Sequence, residues 1–160
     1  MKENKDSNLK QKGYKQIECL SDLAVEVWGR NIEELFKNAA CSMFSIICRL
    51  DLIKGNFKKE IIIKRKNIDS KEDLLIVWLN KLLYFHETKK VIFSDFQISK
   101  IFISNLKKEN CIINALCTGD IIDLRKHEIY TNIKAATYHD IKIHQDSRSG
   151  FLKTKIIFDV

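Results

Sequence analysis

The residues best equipped for chemistry in this sequence stand at its last two positions. Asp159 brings a side-chain carboxylate, and Val160 adds a main-chain carboxylate one residue on. Hard oxygen donors so close together suit a hard cation. A second cluster, Tyr138-His139-Asp140, joins a phenol, an imidazole and a carboxylate in the manner of an acid–base site. Neighbours on a strand face opposite ways. His139 then falls with Ile133, Ala135, Thr137, Ile141 and Ile143 on an apolar face, while Lys134, Tyr138 and Asp140 share a polar one. That pattern makes His139 a hydrogen-bonded core histidine rather than a base. The five cysteines, Cys19, Cys41, Cys48, Cys111 and Cys117, are odd in number and form no CxxC pair. They read as reduced thiols of a cytoplasmic protein. There is no Gly-rich phosphate loop, no GxSxG and no HExxH.

The elements that must position these groups follow from periodicity. Tyr14 to Cys19 and Leu23 to Trp28 alternate as two short strands turning around Leu20, Ser21 and Asp22. Asn31 caps a helix running to about Leu50, with Glu34 completing a capping-box pattern. Ile32, Leu35, Phe36, Ala39, Ala40, Met43, Phe44 and Ile47 make its apolar stripe, which demands a broad apolar partner. Cys41 and Cys48, seven apart, read as packing thiols. Phe57 to Lys66 is a strand. Ser70, with Asp73 three residues on, caps a second helix whose wide apolar face includes Leu74, Leu75, Trp78, Leu79 and Leu82. His86 near its end reads as a capping or surface histidine.

Strand-like runs follow over Val91–Phe93, Phe96–Ser104 and Asn110–Thr118, then a loop from Gly119 through His127. The final stretch, 132–160, reads as a hairpin turning at Ser147–Gly150. The fold class is therefore α+β: two layers, with two main helices packed on one face of a mainly antiparallel sheet. Residues 1–13 read as a flexible basic tail and 14–160 as a single domain.

Composition narrows the function classes. The 160 residues are 45% hydrophobic and 31% charged, enough apolar material for a core. No run of about 18 apolar residues is present, which excludes a helical membrane span. The N-terminus has no apolar h-region and is not a secretory signal. The formal net charge of +7 admits nucleic acid as a partner. The lysines are scattered, however, without interleaved arginines and aromatics, and read first as a solvated surface.

Three blocks carry a resemblance to a known family. The first is Tyr14, then Asp22-Leu-Ala-Val-Glu-Val-Trp-Gly29 and Ile32-Glu-Glu-Leu-Phe36. The second is Asp73-Leu-Leu, Trp78-Leu-Asn-Lys-Leu-Leu83 and Phe93-Ser-Asp-Phe96. The third is Lys126-His-Glu128, Lys134-Ala-Ala-Thr-Tyr-His-Asp140 and Ile157-Phe-Asp-Val160. In order and spacing these resemble the archeases over Tyr14 to Val160. One departure stands out. Where the family usually reads Asp/Glu-His-Thr-Ala-Asp, this chain has Glu18-Cys-Leu-Ser-Asp22.

The resemblance implies an accessory protein, not an enzyme. Its partner would be the tRNA-splicing RNA 3′-phosphate ligase, whose guanylylation and multiple turnover it would promote in tRNA splicing or RNA repair, in the cytoplasm. It also implies a divalent metal, Ca²⁺ ahead of Mg²⁺ or Mn²⁺, on Asp22, Asp159 and Val160. Lys134 would support activity without being catalytic. Two other classes stay open on the residues alone: a tRNA- or RNA-binding chaperone module, and a metal-dependent hydrolase using the same carboxylates.

Overall fold

The computed structural model describes residues 12–19 and 22–160. Most of the expected basic tail lies outside the described residues, as do Leu20 and Ser21 of the first expected turn. The order is β1 (Tyr14–Glu18), β2 (Leu23–Gly29), α1 (Ile32–Ile47), β3 (Phe57–Arg65), α2 (Lys71–Lys89), β4 (Val91–Phe102), β5 (Cys111–Ile121), β6 (Ala135–Ala136), β7 (His144–Gln145) and β8 (Leu152–Asp159). The α+β class expected from periodicity holds, with helices against antiparallel strands. Those strands divide into two sheets. One has the order β1-β2-β8-β6, with β7 also on β8, and the other has the order β3-β5-β4.

Both helices start where their caps dictate. The Asn31 side chain accepts from the Glu34 amide at 2.8 Å, and Ser70 Oγ accepts from the Asp73 amide at 3.1 Å. The return half of each expected capping box is displaced by one residue. Glu34 accepts from the Arg30 amide at 2.7 Å, and Asp73 from the Asp69 amide at 3.2 Å. Helix α1 stops at Ile47, short of the expected Leu50, because Cys48 turns extended and bridges to Ile129. Leu50–Leu52 form a separate 3-10 turn.

The core sits around α1, which packs on β2 of one sheet and β4 of the other. Leu35, Phe36, Ala39, Ala40, Met43, Phe44 and Ile47 are all buried on that stripe. Phe44 meets Phe93 edge-on at 5.8 Å, and Trp78 of α2 meets Phe96 edge-on at 6.0 Å. The indole N–H of Trp78 donates to the Phe36 carbonyl at 3.2 Å, so one buried aromatic joins the two helices. Fully burying each such side chain contributes about 1.5–3 kcal/mol. Burial also raises the thiols of Cys41 to about 11 and of Cys48 and Cys117 to about 12. They stay protonated and act as small apolar fillers.

Several expectations are corrected. His86 is not a surface residue: it is buried, faces Phe44 edge-on at 5.9 Å, and its Nδ1 lies 2.9 Å from the Val91 carbonyl. Val91–Phe102 is one bulged strand rather than two runs. Gly119 and Asp120 do not open a loop but continue β5. The long strand expected over 132–145 is reduced to β6 and β7. Its buried positions, Ile133, Ala136 and Ile143, break the two-residue period, and Asp140 takes a left-handed φ of 52°.

Gly119 stays in β5 for a steric reason. A Cβ there would lie 1.9 Å from the Ile92 carbonyl oxygen on β4. Gly119→Ala should therefore force β4 and β5 apart and cost about 2 kcal/mol. Urea unfolding measures this as a lower midpoint. A midpoint equal to wild type would contradict the close approach.

Candidate functional site

The site is assembled by strand register. The β2–β8 ladder ends with Leu23 opposite Phe158. Asp22 immediately precedes Leu23, just beyond the ladder, and so stands at the same strand end as Asp159. On the other side of β8, Ala135 of β6 pairs with Asp159, and the Lys134 amide donates to the Asp159 carbonyl at 2.8 Å. Asp22, Lys134, Asp159 and Val160 thus converge on one end of the first sheet, from three distant parts of the chain. All four are exposed.

Paired residues share a face of the sheet, and consecutive residues alternate. That alternation holds only within the ladders. Asp22, Lys134 and Val160 lie just outside theirs, and the Lys134 amide turns to β8 where strict alternation from Thr137 would turn it away, so register gathers the four residues at one strand end without assigning them to faces. Among the described residues, no ion pair joins Lys134 to either aspartate, and neither carboxylate accepts a side-chain hydrogen bond. Lys134 is exposed, with no ion-pair partner among the described residues.

The donor chemistry fits a hard cation. The carboxylates of Asp22 and Asp159 and the main chain of Val160 offer oxygen ligands alone, the set that Ca²⁺ and Mg²⁺ prefer. No group of three or more His, Cys, Asp or Glu side chains is gathered among the described residues. The protein's share of any coordination shell would be small, leaving positions for water or a partner's oxygens.

The Tyr138-His139-Asp140 cluster is placed differently from expectation. His139 is not a core residue. It is exposed, with Nε2 3.3 Å from Asp140, which is equally exposed. The strand ends at Ala136, so the alternation that assigned His139 to the inner face no longer applies.

A second, buried constellation was missed by sequence reading. Asp120, 5% exposed, accepts from the amides of Lys54 at 2.7 Å and Asn56 at 2.8 Å. His127 Nε2 lies 3.4 Å from the same carboxylate. The Asp123 amide donates to His127 Nδ1 at 3.0 Å, which leaves Nε2 as the protonated nitrogen facing Asp120. Burial opposes ionisation of Asp120. The amides of Asn56 and Lys54 and the imidazole of His127 outweigh it and hold the carboxyl below its usual range. This clasp closes the loop after β5 onto the segment before β3. A cavity of about 1030 Å³ opens beside it, lined by Leu52, Lys54, Phe57, Leu124 and Arg125 among others. The carboxylate at its floor is fully engaged in holding backbone. The sequence signal for the clasp was faint: an acid inside an apolar strand run, with partners 64 and 66 residues away.

Comparison with known proteins places this geometry. The archease protein family matches residues 14–160. The protein archease of Methanosarcina mazei is 30% identical over 149 residues, 93% of this chain and 97% of that protein. Its counterpart in Methanosarcina barkeri is 31% identical over 151 residues, with the same coverage. The solution structure of Methanobacterium thermoautotrophicum Protein 1598 is similar with a TM-score of 0.75 and 28% identity, covering 93% of this chain and 99% of that one. No helix among the described residues is long and apolar enough to cross a membrane.

The clasp predicts a pH-dependent stability. The folded carboxyl of Asp120 is held below its unfolded value, so its contribution is present above about pH 4 and is lost as pH falls through the folded value. Asp120→Asn should cost about 3 kcal/mol at pH 7, because an amide cannot satisfy both backbone donors and the imidazole. Urea unfolding from pH 7 down to pH 3 should show the gap to wild type narrowing below about pH 4. A gap constant across that range would refute the assignment.

Proposed function

The chain belongs to the archease family, and from that premise we propose that it is an accessory activator of the tRNA-splicing RNA 3′-phosphate ligase. In this reading it promotes guanylylation of the ligase and lets it turn over many times. The observation that supports it best is the convergence, by register, of Asp22, Asp159, Val160 and Lys134 on one exposed strand end. These are the positions that the resemblance marks for metal binding and for activity.

The chain's own groups divide the work. Asp22 and Asp159 would hold a divalent cation, Ca²⁺ ahead of Mg²⁺ or Mn²⁺, with the main chain of Val160 completing the protein's share. Such a cation would supply positive charge and open coordination positions to the phosphates of a bound nucleotide. Lys134, at the same strand end, would offer its exposed ammonium to the same phosphates or to an acidic patch of the ligase. No residue here has to act as a general base. His139 does not favour the hydrolase alternative, since among the described residues the carboxylate it pairs with is its own exposed neighbour Asp140. The scattered lysines do not single out an RNA groove either. RNA contact in this reading passes through the ligase.

Multiple-turnover ligation with the cognate ligase tests the proposal. Wild-type protein should raise turnover, and Asp22→Ala, Asp159→Ala and Lys134→Ala should each lower that stimulation by about tenfold or more. The variants should unfold near the wild-type midpoint, because all three side chains are exposed. Full stimulation by all three variants would overturn the reading.

A further inference from the structure

The strand that presents Lys134 is very short. β6 is two residues long and forms the outer edge of its sheet. Such a piece gains little from its own ladder and must be held from outside. The Thr137 amide turns inward to the Ile157 carbonyl of β8 at 3.0 Å. By the alternation of an antiparallel ladder, the N–H and C=O of Ala136 then point away from β8, toward the open edge.

Helix α2 meets them there. Asn80 Oδ1 accepts from the Ala136 amide at 2.9 Å, and Asn80 Nδ2 donates to the Ala136 carbonyl at 3.1 Å. One carboxamide thus satisfies both polar groups of one residue, as a neighbouring strand would. The same helix holds the far side of the segment as well. Glu72, about two turns earlier, accepts from the Ile143 amide at 2.8 Å. Segment 136–143 is therefore pinned to α2 at both ends, with exposed Tyr138, His139 and Asp140 looped between.

We propose that Asn80 is a positioning residue: its two-point clamp on Ala136 fixes β6 against β8 and so sets Lys134 beside Asp159 and Val160. A carboxamide is well suited to this. It is the one side-chain group with a donor and an acceptor spaced like those of a peptide unit. An aspartate would keep the acceptor but set a negative oxygen against the Ala136 carbonyl. An alanine would leave both edge groups to water. Without the clamp, Lys134 hangs on the single bond from its amide to Asp159. The inference rests on the activator reading only for what Lys134 does. That Asn80 holds it in place stands apart from that reading.

Two measurements on Asn80→Ala and Asn80→Asp separate these layers. Amide hydrogen exchange at Lys134 and Thr137 should quicken by about tenfold or more, while β5 amides such as Ala115 keep their wild-type rates. Ligase stimulation should fall by about tenfold or more, yet add less than about twofold to the loss already caused by Lys134→Ala. Unchanged exchange at Lys134 and Thr137 would overturn the proposal. So would β5 amides quickening in step, which would make Asn80 a general stability residue, or losses that multiply in the double variant. If wild-type protein fails to stimulate the ligase, the functional reading falls, and the exchange rates alone decide the clamp.

Discussion

The register of β8 is the constraint on which the rest of this molecule depends. On one side β8 runs beside β2 from Leu152 to Phe158 without a bulge. On the other it holds the two fragments β6 and β7. Its inner residues, Thr154, Ile156 and Phe158, are buried together with Val25 and Val27. A slip of one residue would turn that set outward, so the apolar face locks the register tightly. The same lock brings Asp159 beside Ala135 and to the strand end where Asp22 precedes Leu23. The site's geometry is thus inherited from core packing, not from contacts within the site.

That lock would be weaker if the first sheet stood alone. Two of its strands on β8 are only two residues long. Helix α1 supplies the missing rigidity by packing on β2 and on β4 at once, with Phe44, Phe93 and Phe96 in mutual contact and Trp78 against Phe96. Helix α2 is joined to α1 through the Trp78 indole and reaches across to the sheet edge with Asn80 and Glu72. Polar bonds at the edge therefore work from a rigid apolar base. This is why a two-residue strand can serve as a fixed mount for an exposed lysine.

What was readable in the sequence follows the range of the interactions concerned. The caps Asn31 and Ser70 act on amides three residues away, and the helix stripes repeat every three or four residues, so both helices could be located closely. Asp22, Asp159 and Val160 could be singled out, the last two as a local pair and the first through family resemblance. Their adjacency needs the strand register, which local pattern does not encode. The failures have the same cause. His139 was assigned by assuming that a strand continued, whereas the left-handed Asp140 and the pull of α2 on Ile143 end it. Buried His86 and Asp120 find their hydrogen-bond partners in the backbone of Val91, Lys54 and Asn56, which a periodicity argument cannot reach. The Arg30 and Asp69 amides displaced the capping boxes by one residue, a detail decided by how each chain enters its helix.

Asp22 and Asp159 bring two exposed acids to one strand end. The chain has 28 lysines and arginines against 21 acids, so a cation beside Asp159 was readily available. Elsewhere that complementarity is used: Lys15 faces Glu26 across β1 and β2, and Lys37 pairs with Asp95 at 3.0 Å. At the strand end it is not: among the described residues, none of Asp22, Asp159 and Lys134 has an ion-pair partner. Nothing in the core requires this arrangement, since both carboxylates are exposed and a neutral residue at either position would leave the ladder intact. A surface shaped for stability alone would have paired or removed these charges. Under the proposed function, these are groups whose counter-charges would come from outside the chain: a cation for the two acids, and a phosphate or carboxylate of a partner for the lysine.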